Sequence, residues 1–310
     1  VVAAPAVAGG TVYGDSRDNH VYALAATSGE ELWRYETGND IFSSPAISNG
    51  TVFVGSADDS LHAISAEYGD EEWQFEADGQ VSASPTVAAG TVYVGSLDNN
   101  FYDIDAATGT EQWRFETNGS IYHSAAVTDD TIYVGGNDET LYALATDTGE
   151  QQWAFDTGGK IHSVPAVTAD TVYVGSNSNS VYALNTADGT ERWRFNTTQP
   201  VHSSPAVANG TVYIAPDTID VYALTTGPNQ VESLEYDSVT LGIGAGVLLA
   251  LAAAVNWYRG RGDDTTSPPD QAGSPAEESL PGDSQQSTEP AGRDPDSGQF
   301  VPGHDESNRE

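Results

Sequence analysis

The chain has 310 residues, enough for one large domain with additions, and sets 46 Asp and Glu against 10 Lys and Arg, a formal charge of -36. Such a surface repels phosphates and argues against nucleic-acid binding. Cysteine is absent, which excludes disulfides, thiolate chemistry and cysteine-based zinc sites. Methionine is absent too, even at position 1, as expected of a processed form or a fragment. Trp, Tyr, Val and Ile recur in order through most of the chain, so the acidity does not read as disorder. It reads as salt adaptation, in which dense salt screens the mutual repulsion of hydrated carboxylates. The expectation is a halophilic, haloarchaeal surface protein.

From the N-terminus the chain repeats itself every 40 residues: Trp33, Trp73, Trp113, Trp153 and Trp193 share one register. Pro5, Pro45, Pro85, Pro165 and Pro205 share another, with Ala125 in the one gap. The third unit shows the pattern. It runs Ser84-Pro85-Thr86-Val87, Gly90 to Ser96, Phe101-Tyr102-Asp103-Ile104 and Thr108 to Phe115. These are four strand signals, rich in β-branched and aromatic residues. Ala89-Gly90, Asp98-Asn99 and Thr108-Gly109 separate them with turn chemistry. Short hairpins force antiparallel neighbours. One such sheet cannot bury both faces alone, but a ring of them can. The fold class predicted is therefore all-β, a β-propeller of four-stranded antiparallel blades. Residues 1–237 hold about six blades. The sixth is partial: the tryptophan position falls on Val231, and Val231 to Tyr236 reads as a degraded fourth strand.

Next comes a stretch without charge, Ser238 to Tyr258, long enough at about 1.5 Å per residue to cross a bilayer core of roughly 30 Å. Trp257 and Tyr258 end it, and Arg259 and Arg261 follow, so residues 238–258 are expected to be a transmembrane helix with the propeller outside. Gly242 and Gly246 form a GxxxG pair of the kind that joins membrane helices. Residues 259–310 are rich in Pro, Ser, Gly, Gln, Asp and Glu and are expected to be a disordered cytoplasmic tail. Four sequons fit an outside placement. Two of them, at Asn49 and Asn209, coincide with the Asn-Gly-Thr hairpin turn, leaving Asn118 and Asn196 as the candidate glycosylation sites.

The run Ala106-Ala107-Thr108-Gly109-Thr110-Glu111-Gln112-Trp113, with close copies ending at Trp33, Trp153 and Trp193, resembles the tryptophan-docking motif of the PQQ-like repeat family. That family includes quinoprotein dehydrogenases and a bacterial outer-membrane assembly lipoprotein. The resemblance covers roughly residues 1 to 227. It implies a propeller in which Trp33, Trp73, Trp113, Trp153 and Trp193 pack between neighbouring blades. It also implies seven or eight blades if the N-terminus is truncated, since the family's enzymes have eight.

The resemblance leaves activity open. The family's dehydrogenases use a vicinal cysteine pair over PQQ, a Ca²⁺ site and an Asp base. This chain has no cysteine, and every full unit keeps its 40-residue length, with no lengthened loop to carry such groups. Asp98, Asn99, Asn100, Asp103 and Asp105 form an acidic run, but it straddles a hairpin turn and a strand. Asp98 repeats as Asp18, Asp58 and Asp138 and reads as turn chemistry. No catalytic, cofactor or metal residues are predicted. The loop entering each innermost strand is more informative. Its second position is always apolar (Ile41, Val81, Ile121, Ile161, Val201), whereas its third varies: Phe42, Ser82, Tyr122, His162, His202. Variation on a fixed scaffold is how a repeat protein makes a specific surface. Phe42, Tyr122, His123, His162 and His202 are therefore candidates for a binding rim, and imidazoles there suit zinc or copper as well as ordinary solvation. The reading favoured is a non-catalytic, membrane-anchored extracellular scaffold for an envelope protein or glycan. The alternatives are a PQQ- and Ca²⁺-dependent dehydrogenase or a fragment of one, and a surface sensor signalling through its tail.

Overall fold

The computed structural model describes residues 3–218 and 220–225, all within the first of two contact units, Val1–Asp263. Among the described residues there are only strands. They make five four-stranded antiparallel sheets and one three-stranded sheet, each in simple sequence order. The third blade comprises Thr86–Ala88, Thr91–Gly95, Asn100–Asp105 and Glu111–Glu116. Its turns follow their residues. Ala89 and Gly90 both have positive φ, 50° and 86°, the pair that matches a two-residue hairpin to the twist of its strands. Asn99 takes φ 74° in the second turn. The sixth blade contributes Ala206–Ala208, Thr211–Ile214 and Tyr222–Thr225; its expected fourth strand, the membrane span and the tail lie outside the described residues.

The first strands are innermost: Ala6–Ala8, Ala46–Ser48, Thr86–Ala88 and Ala126–Val127 lie side by side. The middle strands are buried on both faces, whereas the outer strand Glu111–Glu116 alternates exposed and half-buried. The core therefore sits between blades. Phe53 and Leu61 of the second blade share a cluster with Val92, Val94 and Tyr102 of the third.

Each tryptophan joins its blade to the next. The Nε1–H groups of Trp33, Trp73, Trp113 and Trp153 donate to the carbonyls of Ala66, Ala106, Thr146 and Thr186 at 2.9–3.2 Å. Their rings lie on Gly69, Gly109, Gly149 and Gly189 so closely that a Cβ there would come within 2.5–2.8 Å of the indole. These glycines also have φ near 70°, so both space and backbone demand glycine. Gly29, the matching position in the first blade, has nothing within 4 Å among the described residues. The acceptor expected for Trp193 lies outside them.

A second link was read from the sequence only as turn chemistry. Asp58, Asp98 and Asp138 do accept the N–H two residues on. Each also accepts an N–H from the preceding blade, of Gly38, Asp78 and Asn118, at 2.7–3.1 Å. Tyr102 and Tyr142 add O–H donors to Asp98 and Asp138 at 2.6 and 2.7 Å.

Candidate functional site

The rim is built on the loops that enter the innermost strands. Ile41, Val81, Ile121, Ile161 and Val201 are all at most 1% exposed, so the apolar second position pins each loop to the core. Neighbouring loops are tied at the 40-residue repeat, by Ser44 N–H to Ser84 Oγ at 2.8 Å and Val164 N–H to Ser204 Oγ at 2.9 Å. With the backbone held in this way, the third position turns outward: Tyr122 and His202 are exposed, and Phe42, Ser82 and His162 are partly so.

The structure brings the three histidines together in a row. The ring centroids of His123 and His162 are 5.4 Å apart, and those of His162 and His202 are 5.2 Å apart and stacked. His123 reaches the row from a different register from the other two. It takes the place of Ser43 and Ser163, whose hydroxyls bridge the N–H and C=O of Gly55 and Gly175 at 2.9 Å. His162 donates from Nε2 to Asn137 Oδ1 at 3.0 Å, and His202 Nδ1 lies 2.7 Å from Asp217 Oδ2. Asn177 repeats Asn137 in the next blade; its buried Oδ1 has no partner among the described residues, and the corresponding His202 lies against Asp217. Phe42 is covered by the Arg17 guanidinium, 5.2 Å from its ring centre.

Charges of both signs stand at the rim, Arg17 over Phe42 and Asp217 beside His202. Lys160, the chain's one lysine, begins the loop that carries His162. Burial, followed by the charges of His162 and His202, pushes His123 down to about 4. Burial, His202 and Lys160 push His162 down as well. Both imidazoles are neutral at pH 7 and offer hydrogen bonds and flat ring faces rather than charge. Among the described residues no group of three His, Asp or Glu is placed to hold a metal ion.

The remaining candidates lie elsewhere. Asn118 is exposed in the bend after the third blade's outer strand. Asn196 is exposed at the end of the strand Glu191–Asn196, where Ser180 Oγ donates to its Oδ1 at 3.1 Å. The acidic run of the third blade does not converge. Asp98 serves the inter-blade link, Asp105 accepts from Thr108, and Asp103 is buried in the wall of an inter-blade cavity. Sequence reasoning named Asp103 only as part of that acidic run, although the repeat marks it: the same register holds Ala23, Ala63, Ala143, Ala183 and Ala223.

Comparison with known proteins follows this geometry. No curated protein matches the chain. Among solved structures, BamB from Moraxella catarrhalis superposes with a TM-score of 0.65 at 19% identity, covering 75% of this chain and 76% of that one. The computationally designed protein Ika8 superposes with a TM-score of 0.66 at 14% identity, covering 77% of each chain. At these identities the likeness concerns the fold alone. The family model described as outer membrane protein assembly factor BamB matches residues 1–45, 17–154 and 137–231. With six repeat sheets in one register and most of its length matched to that model, the chain belongs to the BamB-type family of PQQ-like repeat β-propellers.

Proposed function

We propose that this chain is a non-catalytic scaffold that binds a protein partner at the cell envelope through the rim of its innermost strands. The observation that carries this reading is the contrast between two adjacent positions. The second residue of each rim loop is invariably buried and apolar, whereas the third changes from blade to blade and turns outward. Exposed Tyr122 and the stacked rings of His162 and His202 provide flat amphipathic contact area of the kind that anchors protein interfaces. Membership of a family described by outer-membrane protein assembly supports a protein over a glycan as the partner. In this reading Ser238 to Tyr258 anchors the propeller, Arg259 and Arg261 keep the tail inside, and Asn118 and Asn196 face the exterior.

Photo-crosslinking in intact cells tests the reading. A benzophenone side chain at Tyr122 or His202 is expected to trap a discrete protein adduct. The same group at Leu32, exposed on the outer strand Glu31–Glu36, is expected to trap none. Equal adducts from both faces would overturn the rim assignment. Saturable one-to-one binding of PQQ with Ca²⁺ would overturn the non-catalytic reading.

A further inference from the structure

We propose that His62 is a proton-operated clasp across the first seam, holding the first blade on the second while its imidazole carries both ring protons and loosening when it gives one up. The clasp is built from other residues than the rim and does not rest on the function proposed above.

Three departures from the repeat meet at this seam. At the next four seams a phenylalanine of one outer strand meets a tyrosine of the following blade, as Phe75 meets Tyr102 and Phe115 meets Tyr142, with ring centroids 5.1–5.3 Å apart. The first seam has Tyr35 and His62 in those places, 5.6 Å apart. Opposite the tyrosine, the first, third and fifth blades carry Arg34, Arg114 and Arg194, each in an ion pair with the glutamate three residues before it. Opposite His62 stands the uncharged Gln74, which leaves Glu71 without an arginine. A permanent cation beside the seam is thus replaced by a titratable one within it.

His62 is 2% exposed. Its Nε2 lies 3.0 Å from Asp58 Oδ2, and its Nδ1 lies 3.2 Å from the Tyr35 hydroxyl and 3.5 Å from Glu71 Oε2. The Tyr35 hydroxyl donates to Glu71. Burial, followed by that bond, raises the Tyr35 phenol, so it keeps its single proton and directs it to Glu71. Nδ1 then faces only oxygen lone pairs, and Nε2 faces only a carboxylate, so both ring nitrogens are satisfied as donors. A buried cation is tolerated where carboxylates flank it, as Asp58 and Glu71 do here. Burial works against the ionised form of Asp58, but the bonds from His62 and from Gly38 N–H hold its carboxyl below the ordinary range. Among the described residues neither carboxylate pairs with a lysine or arginine.

Loss of one ring proton rearranges the cluster in a defined way. Nε2 continues to donate to Asp58, and the bare Nδ1 becomes an acceptor for the Tyr35 hydroxyl. By turning to Nδ1, that hydroxyl leaves Glu71. The seam then lacks the bond from Tyr35 of the first blade to Glu71 of the second, together with the charge attraction centred on His62. Asp58 also accepts Gly38 N–H of the first blade at 2.7 Å, so the loosening reaches the backbone link. The same seam carries Arg17 on Phe42 at the rim.

Amide hydrogen exchange of the full chain in molar salt tests the clasp. Exchange at Gly38 is read relative to exchange at Asn118, which makes the same bond to Asp138 at the third seam, so the ordinary dependence of exchange on pH cancels. From about pH 5 to about pH 8, the range in which imidazoles change charge, the ratio is expected to rise by roughly tenfold. His62→Tyr, which installs the residue the other blades carry, is expected to hold the ratio constant. The triple variant Tyr35→Phe, His62→Tyr, Gln74→Arg restores the whole pattern of the third seam and is expected to do the same should the single variant fail to fold. Nuclear magnetic resonance of the unaltered chain with isotope-labelled histidine is expected to show the His62 ring protonated on both nitrogens at the acidic end and on Nε2 alone at the alkaline end. A ratio constant within about twofold in the unaltered chain would overturn the proposal. An equal rise in a folded variant would do so too, as would a neutral His62 ring protonated on Nδ1.

Discussion

Truncating Trp153 to alanine examines how one blade holds the next. The indole is 7% exposed, lies 5.7 Å from the Tyr133 ring within its own blade, and rests on Gly189 of the following blade. Deleting a buried aromatic of this size costs about 3–5 kcal/mol. The Thr186 carbonyl, which now accepts the indole N–H at 2.9 Å, would lose its donor, adding about 1 kcal/mol. The expected loss is therefore about 4–6 kcal/mol. The partner glycine sharpens the test. Gly189→Ala forces an L-residue to φ 69° and sets a Cβ 2.6 Å from Trp153 Cε3. The backbone conformation costs about 1–2 kcal/mol, and the overlap about 1–3 kcal/mol more. Without the indole the overlap disappears, so the double variant should be less destabilised than the sum of the singles by about 1–3 kcal/mol. Urea unfolding followed by far-ultraviolet circular dichroism measures all three. A loss below about 1 kcal/mol for Trp153→Ala, or additivity within about 0.5 kcal/mol, would refute the account of the indole as an inter-blade anchor.

Other expectations rest on other contacts. Asp138→Ala removes the acceptor for Asn118 N–H and Tyr142 O–H and should cost about 1.5–3 kcal/mol in urea unfolding. Tyr142 is raised to about 12, first by burial and then by its bond to Asp138, so its phenolate absorbance should appear at lower pH in that variant. His123 takes up its proton near 4 in the folded protein and near 6.5 in the unfolded chain. Between these values the unfolded state binds more protons. Stability should therefore be full above about pH 6.5 and fall as pH drops toward about 4, by on the order of 2 kcal/mol after screening. His123→Ser should remove that part of the slope, and an unchanged slope would show that His123 does not cause it. The charge of -36 predicts that circular dichroism in dilute buffer will show lost structure relative to molar salt. Identical spectra would end the salt-adaptation reading.

The 40-residue register by itself determined a great deal. Glycine, asparagine and β-branched residues at fixed intervals specify turns and strands locally, and each blade follows them, down to the left-handed pair Ala89-Gly90. The buried second position of the rim loops and the outward third position were legible too, because a conserved phase against a varying one separates core from surface. What lies across a blade interface was not legible, because contacts there depend on how one sheet is rotated against the next. That rotation makes Asp98 and Asp138 acceptors for the preceding blade as well as turn formers. It brings His123, from a serine register, beside His162, which stacks on His202. It also places Asp103, one carboxylate in a column of alanines, against the fourth blade with an oxygen unpaired among the described residues. Strand periodicity records which face a residue occupies; only packing in three dimensions decides what that face meets.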